Sequence, residues 1–349
     1  MAKSTARLQE VMLDFIRRNE GCSSGEIFGG IGTEASYATV KRVLQSMLAD
    51  RLIEASGRGK GTRYRISAAS QLLMPVDVER YFQKEIDERE IVDTFNHELI
   101  PHTLPAVALF TEEELATLDE LQRIFEKNTA GLSAGEYKRE FERLAIDLSW
   151  KSSQIEGNTY SLLETERLLR EKETAAGKTR DEATMLLNHK EALDFILEQP
   201  GYIHPLSVAR IEDIHSMLVK DLNVARNIRH RRVGITGTNY RPPDNEYQIV
   251  EALENMCALI NQRPNVFEKA PLALALISYI QPFADGNKRT ARIISNAILI
   301  YHRYCPISFR TVDSIDYKKA MLIFYEQNNI SAFKRIFVEQ FAFAVGAYF

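Results

Sequence analysis

The side chains best suited to chemistry stand together in one stretch, Gln281-Pro282-Phe283-Ala284-Asp285-Gly286-Asn287-Lys288-Arg289-Thr290-Ala291-Arg292. Proline at 282 ends a preceding helix, because its ring fixes φ and removes a hydrogen-bond donor. Glycine at 286 permits a sharp turn. The amides of Gly286, Asn287 and Lys288 can then point outward as the next helix begins, which makes an anion nest at a positive helix end. Arg289 and Arg292 are three apart, hence on one helix face, where two planar guanidinium forks can grip successive phosphates. Asp285 offers the hard carboxylate oxygen that Mg2+ prefers. Gly-Asn-Lys-Arg alone reads as an ordinary helix start; the whole stretch points to a polyphosphate with magnesium.

Those residues need apolar elements to hold them. The chain has 349 residues, 45% apolar and 26% charged, enough for two or three domains with cores of their own and unlike a disordered chain. No window approaches the ~20 apolar residues of a membrane span; the best, Leu272 to Ile280, is short and followed by Pro282. Met1 to Arg7 contains no apolar stretch of the signal-peptide kind. A soluble, cytoplasmic protein without a membrane partner is the expectation. Cys22, Cys257 and Cys305 lie far apart and the seven histidines do not cluster, which argues against disulfides and zinc. Any metal is expected on oxygen ligands.

From Thr111 onward helical spacing dominates, so the fold class is mainly α. Thr111 before Glu112, Glu113 and Glu114, and Ser133 before Glu136, each pair a hydroxyl cap with an acidic first turn. Tyr137, Phe141, Leu144, Ala145 and Leu148 stripe the second helix toward Trp150. Further helices are predicted at Arg180 to Glu198, Ser207 to Val219, Tyr247 to Ile260, Ala270 to Ile280, Asn287 to Tyr304 and Tyr317 to Asn328. Between Arg229 and Pro243, β-branched residues around a glycine turn predict a small β-hairpin. Its edge could pair with an extended peptide or simply cover core.

Residues 1–70 read as α+β. Leu8, Val11, Met12, Phe15 and Ile16 share a helix face, Ser23 and Glu26 have capping-box spacing, and Val40, Val43, Leu44, Met47 and Leu48 line a third helix. A turn from Gly57 to Gly61 and the alternating Arg63 to Ile66 follow, which is the order of a winged helix-turn-helix. This segment carries 11 Lys and Arg against 7 Asp and Glu, the remainder 33 against 41. Tyr37, Thr39, Lys41 and Arg42 would face a DNA groove, with Arg58, Lys60, Arg63 and Arg65 on phosphates. The alternative is a winged helix used for protein contacts or dimerisation. Residues 71–105, with Pro75, Pro101 and Pro105, read as a connector with a helical stretch near Asp77 to Glu88.

The twelve residues from Gln281 resemble the signature of the Fic family, His-Pro-Phe-x-Asp/Glu-Gly-Asn-Gly/Lys-Arg-x-x-Arg, at every defined position but the first. The likeness runs from about Trp150 to Tyr325 and includes Asn188 and Glu191-Ala192-Leu193. It implies a Fic-type helical bundle with a β-hairpin flap, ATP and Mg2+ as cofactors, and transfer of AMP to a Ser, Thr or Tyr hydroxyl of a target protein. Gln281 and Asn287 would occupy catalytic positions. Asp285 would hold Mg2+, Gly286, Asn287 and Lys288 the α- and β-phosphates, and Arg289 and Arg292 the outer ones. Thr236, Gly237, Thr238, Asn239 and Tyr240 would form the flap that aligns the target.

Upstream, Ser152-Ser153-Gln154-Ile155-Glu156-Gly157 is similar to the family's inhibitory motif, Ser/Thr-x-x-x-Glu-Gly/Asn. Ser152, Glu156 and Gly157 therefore imply autoinhibition, Glu156 pairing with Arg292 and taking the guanidinium that the γ-phosphate needs. On this reading residues 106–185 hold the inhibitory helix, residues 186–349 the Fic core and C-terminal helices, and a homodimer is an allowed assembly.

Two positions depart from the signature. Gln281 stands where the family has the histidine that takes the proton from the attacking hydroxyl, and a carboxamide cannot act as that base. Lys288 gives the Asn-Lys-Arg form also found in Doc-type relatives that transfer phosphate. Three readings stay open: an autoinhibited adenylyltransferase impaired at 281, a Doc-type phosphoryl transferase, or a non-catalytic transcription regulator that senses nucleotide.

Overall fold

The computed structural model describes residues 2–32 and 35–349, with side chains from Arg7 onward within them. It divides into two compact units, Met1–Met74 and Pro75–Phe349.

In the first unit, α1 (Ala2–Arg18), α2 (Ser24–Gly30) and α3 (Tyr37–Ala49) precede β1 (Ile53–Ser56), β2 (Arg63–Ile66) and α4 (Ala68–Leu73). Ser23 and Glu26 form the reciprocal capping box of α2, and Ser36 caps α3. Met12, Ile16, Ile27, Val40, Leu44 and Met47 are wholly buried in the core that the helical stripes foretold. β1 and β2 are antiparallel with Ile53 opposite Ile66. The turn between them requires glycine: Gly57 has φ +81, and a Cβ there would lie 2.5 Å from the Gly61 carbonyl oxygen. Lys41, Arg42, Arg58, Lys60 and Arg63 are exposed. Arg65 instead bonds Glu54 across the hairpin at 2.6 Å, and the Tyr37 hydroxyl lies 2.8 Å from that of Ser24.

The second unit contains α5 (Val78–Phe82), α6 (Glu112–Ala130), α7 (Ala134–Ile155), α8 (Leu162–Glu171), α9 (Arg180–Glu198), α10 (Val208–Leu218), α11 (Glu246–Gln262), α12 (Val266–Ile280), α13 (Asn287–Tyr301), α14 (Ser314–Gln327) and α15 (Ser331–Tyr348). Capping boxes at Thr111, Ser133, Ser161 and Thr179 start α6, α7, α8 and α9. Every residue of α12 is buried, as befits a helix apolar on all sides, and α13 packs along it. The three cysteines are free and buried. Among the described residues no helix is long and apolar enough to cross a membrane.

One expectation is corrected here. Residues 229–243 form no hairpin; they are an extended loop with a turn at Thr236 and Gly237. Its two halves are not paired as strands, and several of its polar groups find distant partners. Arg241 N donates to Asp93 O at 2.9 Å in a parallel bridge with Thr94, and Arg89 donates to the Gly237 carbonyl at 3.0 Å. Residues 75–105, within the 71–105 segment read as a connector with a helical stretch, pack inside the second unit. The Arg89 guanidinium is buried against the buried Glu326 carboxylate at 3.1 Å, which also accepts from the Tyr81 hydroxyl, and Phe95 stacks on Tyr279. An ion pair removed from water persists only with such additional hydrogen bonds.

Candidate functional site: the turn between α12 and α13

α12 ends on Gln281 in the left-handed region (φ 51), followed by Pro282. Gly286 (φ +81) begins α13, and a Cβ there would stand 3.3 Å from Val219 and 3.4 Å from the His215 ring. Only glycine fits this turn without strain. The Asn287 side chain staples the loop: its Oδ1 accepts from Phe283 N at 2.8 Å, and its Nδ2 donates to Phe283 O at 2.8 Å and to Gln281 Oε1 at 3.0 Å. Gln281 Nε2 donates to Ser278 O at 2.6 Å, so both ends of that carboxamide are engaged. The Asn287 side chain is thus committed to the loop, and what it can offer an anion is its backbone amide. No side chain caps α13. The first-turn amides of a helix have no acceptor within it, so this end presents open donors.

Both guanidinium groups lie behind the turn. Arg289, 1% exposed, donates to Asp285 Oδ2 at 3.1 Å, while its Nε and Nη1 have no partner. Arg292 is fully buried. Its Nε donates to Ser152 Oγ at 2.8 Å and its Nη2 to Ser152 O at 3.0 Å and Glu156 Oε1 at 2.7 Å, leaving Nη1 unpartnered. Buried N–H groups without acceptors are costly, and these three belong to the first two turns of α13. α7 thus delivers Ser152 and Glu156 to Arg292, and Gly157 (φ +100) turns the chain away. Glu156 Oε2 also lies 3.6 Å from Lys288 Nζ. Burial raises the Glu156 pKa, but the Arg292 and Lys288 charges outweigh it and hold the carboxyl below its ordinary value.

Asp285 is exposed and salt-bridged to Arg289. Among the described residues no group of three His, Cys, Asp or Glu side chains could hold a metal ion. Of the flap residues, Thr236 and Asn239 are exposed, Gly237 and Thr238 half-buried. Tyr240 is not target-facing: its ring is buried on Tyr279 and its hydroxyl donates to Tyr279 O at 3.0 Å. It anchors the loop from within.

Three residues beside the turn escaped sequence reasoning. His215 stacks on Phe283 at 3.6 Å between ring centroids, its Nδ1 and Nε2 each 2.9 Å from a carbonyl oxygen, of Arg226 and Asp285. Arg229 is taken up below. His189 is wholly buried near Ser149 with Nε2 unpartnered. Lone histidines and arginines at helical spacing carry no local signal of this kind.

Burial first, then the charges of Arg292 and Arg289, hold the His189 imidazole well below 6.5, so it is neutral in the folded chain. The unfolded chain takes up the proton near pH 6.5 and the folded chain does not. Stability is therefore complete above that pH and falls below it, by up to about 1.4 kcal/mol per pH unit. Urea unfolding between about pH 7.5 and pH 5, above the usual carboxylate range, measures this slope. Burial lowers the pKa of His215 and His302 in the same sense, so His189→Phe should reduce the slope without abolishing it, and an equal slope in parent and variant would contradict the assignment.

Residues 205–299 match the Fic/DOC family model, a span that includes the α12–α13 turn but not Glu156. The protein adenylyltransferase Fic of Nematostella vectensis is 29% identical over 224 residues, 61% of this chain and 51% of that protein. The protein adenylyltransferase fic-1 of Caenorhabditis briggsae is 25% identical over 59% of this chain and 41% of its own length. The chain spans about half the length, or less, of these curated relatives. Among solved structures, a fragment of Fic-1 from C. elegans superposes with a TM-score of 0.59 at 21% identity, covering 68% of this chain and 72% of that one. A Fic domain containing signaling protein from Bacteroides thetaiotaomicron does so with 0.56 at 20% identity, covering 66% and 94%. The span similar to the Fic/DOC family contains the α12–α13 turn, Arg289 and Arg292, and the loop over residues 229–243, and the fold around it is that of the Fic structures.

Proposed function

We propose that the turn before α13 is a triphosphate pocket, and that the chain is a Fic-type protein adenylyltransferase scaffold moving AMP from ATP to a target-protein hydroxyl. One observation carries this reading: Arg292 already grips an anion, the Glu156 carboxylate, at 2.7 Å. A carboxylate there stands where a phosphate oxygen would, and the same contact keeps the phosphate out. Glu156 is on this reading the autoinhibitory group, seated by Ser152 and Gly157.

In the mechanism the first-turn amides, including those of Asn287 and Lys288, would hold the α- and β-phosphates and the guanidinium groups the outer ones. Asp285 suits Mg2+ as a single exposed carboxylate whose other ligands would be phosphate and water oxygens; the ion would screen phosphate charge. The loop bearing Thr236 and Asn239 would align the acceptor. Gln281 hydrogen-bonds within the loop but cannot remove the acceptor's proton, so transfer is slow. The relatives' shared name, protein adenylyltransferase, supports AMP transfer over the Doc-type phosphoryl alternative. Calorimetric titration with ATP and Mg2+ of the parent and of Glu156→Gly tests the pocket, and binding to neither would remove it.

The exposed cations Lys41, Arg42, Arg58, Lys60 and Arg63 favour a second reading, a nucleotide-responsive regulator whose N-terminal winged helix binds DNA. Retention on duplex DNA should then fall steeply with salt, about 0.9 log units per phosphate contact for each log unit of salt, and weaken in Lys41→Glu. No retention at low salt would leave that unit a protein-contact module.

A further inference from the structure

Arg229 is a buried cation, 5% exposed, whose donors all meet backbone carbonyls. Its Nε donates to Gln281 O at 2.7 Å, Nη1 to Arg231 O at 2.8 Å and Nη2 to Pro243 O at 2.8 Å. Its own amide donates to Pro282 O at 3.0 Å. Among the described residues no carboxylate lies within ion-pair distance of it; nearby Asp244 is paired with Arg232. Arg231 and Pro243 are the two ends of the loop that carries Thr236 to Tyr240. Gln281 and Pro282 open the phosphate turn, and Gln281 holds a left-handed backbone that the surroundings must enforce. A single planar fork therefore closes one loop at its base and fastens it to the Gln281 carbonyl of the other, while the backbone amide of Arg229 holds the Pro282 carbonyl.

We infer that Arg229 is a positioning residue that makes the 231–243 loop and the 281–286 turn move as one body. Lysine cannot replace it, because an ammonium is a compact point charge and cannot span three divergent carbonyls. Once Arg229 is shortened, those carbonyls lose their donors and both loops loosen together. The coupling stands on geometry alone; its consequence for ATP rests on the pocket reading above.

Hydrogen exchange on the full chain reads the coupling through the amides of Tyr240, Arg241, Gln281 and Phe283, each hydrogen-bonded. In Arg229→Lys, exchange in both segments should rise together by about tenfold or more, as expected for loss of a charge-assisted hydrogen bond, while α9 and α12 keep parental protection. Adding guanidinium at low millimolar concentration to Arg229→Ala should restore both segments. If Arg229→Ala does not fold, Arg229→Lys alone carries the test. Loosening of only one segment, or loss of protection spread through α9 and α12, would overturn the inference. In Glu156→Gly, adding Arg229→Lys should weaken ATP binding about tenfold. Coupled loosening without ATP binding in any variant would sink the pocket reading and leave the coupling intact.

Discussion

Gln281→His placed in Glu156→Gly is expected to raise AMP transfer by about 10²–10⁴ over Glu156→Gly alone, the usual contribution of a general base. The site is otherwise ready for it. Gln281 sits on a fixed left-handed backbone, with Asn287 Nδ2 as a donor and the Ser278 carbonyl as an acceptor on either side of its carboxamide. An imidazole introduced there meets groups that can fix its tautomer, and unlike a carboxamide it accepts a proton near neutrality. Radiolabel from the α-phosphate of ATP should appear on protein. Label from the γ-phosphate would make the chain a phosphoryl transferase, and no label from either would leave nucleotide binding without chemistry.

Glu156→Gly alone should tighten ATP binding about 10- to 100-fold, the worth of one charge-assisted hydrogen bond exchanged for another at Arg292. Two effects act together: Arg292 and Lys288 are released, and a carboxylate that would repel the γ-phosphate is gone. Glu156→Gln, which keeps a hydrogen-bonding group but not the charge, should fall between parent and glycine variant. Without nucleotide the glycine variant should be less stable than the parent, because Arg292 is left buried with fewer acceptors. Saturating ATP should restore that loss. Equal affinity in parent and Glu156→Gly would show that Glu156 does not block the pocket.

The parts legible in the sequence were those with local causes. The helix at Arg180 to Glu198 follows from its own cap and stripe, and α12 and α13 from an apolar run broken by proline and glycine. α8 also has a local signal, Ser161 three residues before Glu164. α15 had none: it is apolar on several faces and starts at Ile330 without a side-chain cap. The expected hairpin failed because the two halves of residues 229–243 are tied to Arg89, to Asp93 and to the Arg229 side chain rather than paired with each other as strands. Likewise, nothing near Arg89 announces Glu326, 237 positions away. The α12–α13 turn was visible because its chemistry is compressed into twelve residues. The restraint of its backbone by His215 and Arg229 was not, since each reaches it from another segment.

The most direct measurement follows the backbone amides and guanidinium groups of the turn by 15N-resolved NMR while ATP and Mg2+ are added to Glu156→Gly. The account predicts saturable shifts at Gly286, Asn287 and Lys288 and at the Arg289 and Arg292 side chains. Saturable binding that leaves those five residues unmoved and shifts signals elsewhere would contradict it.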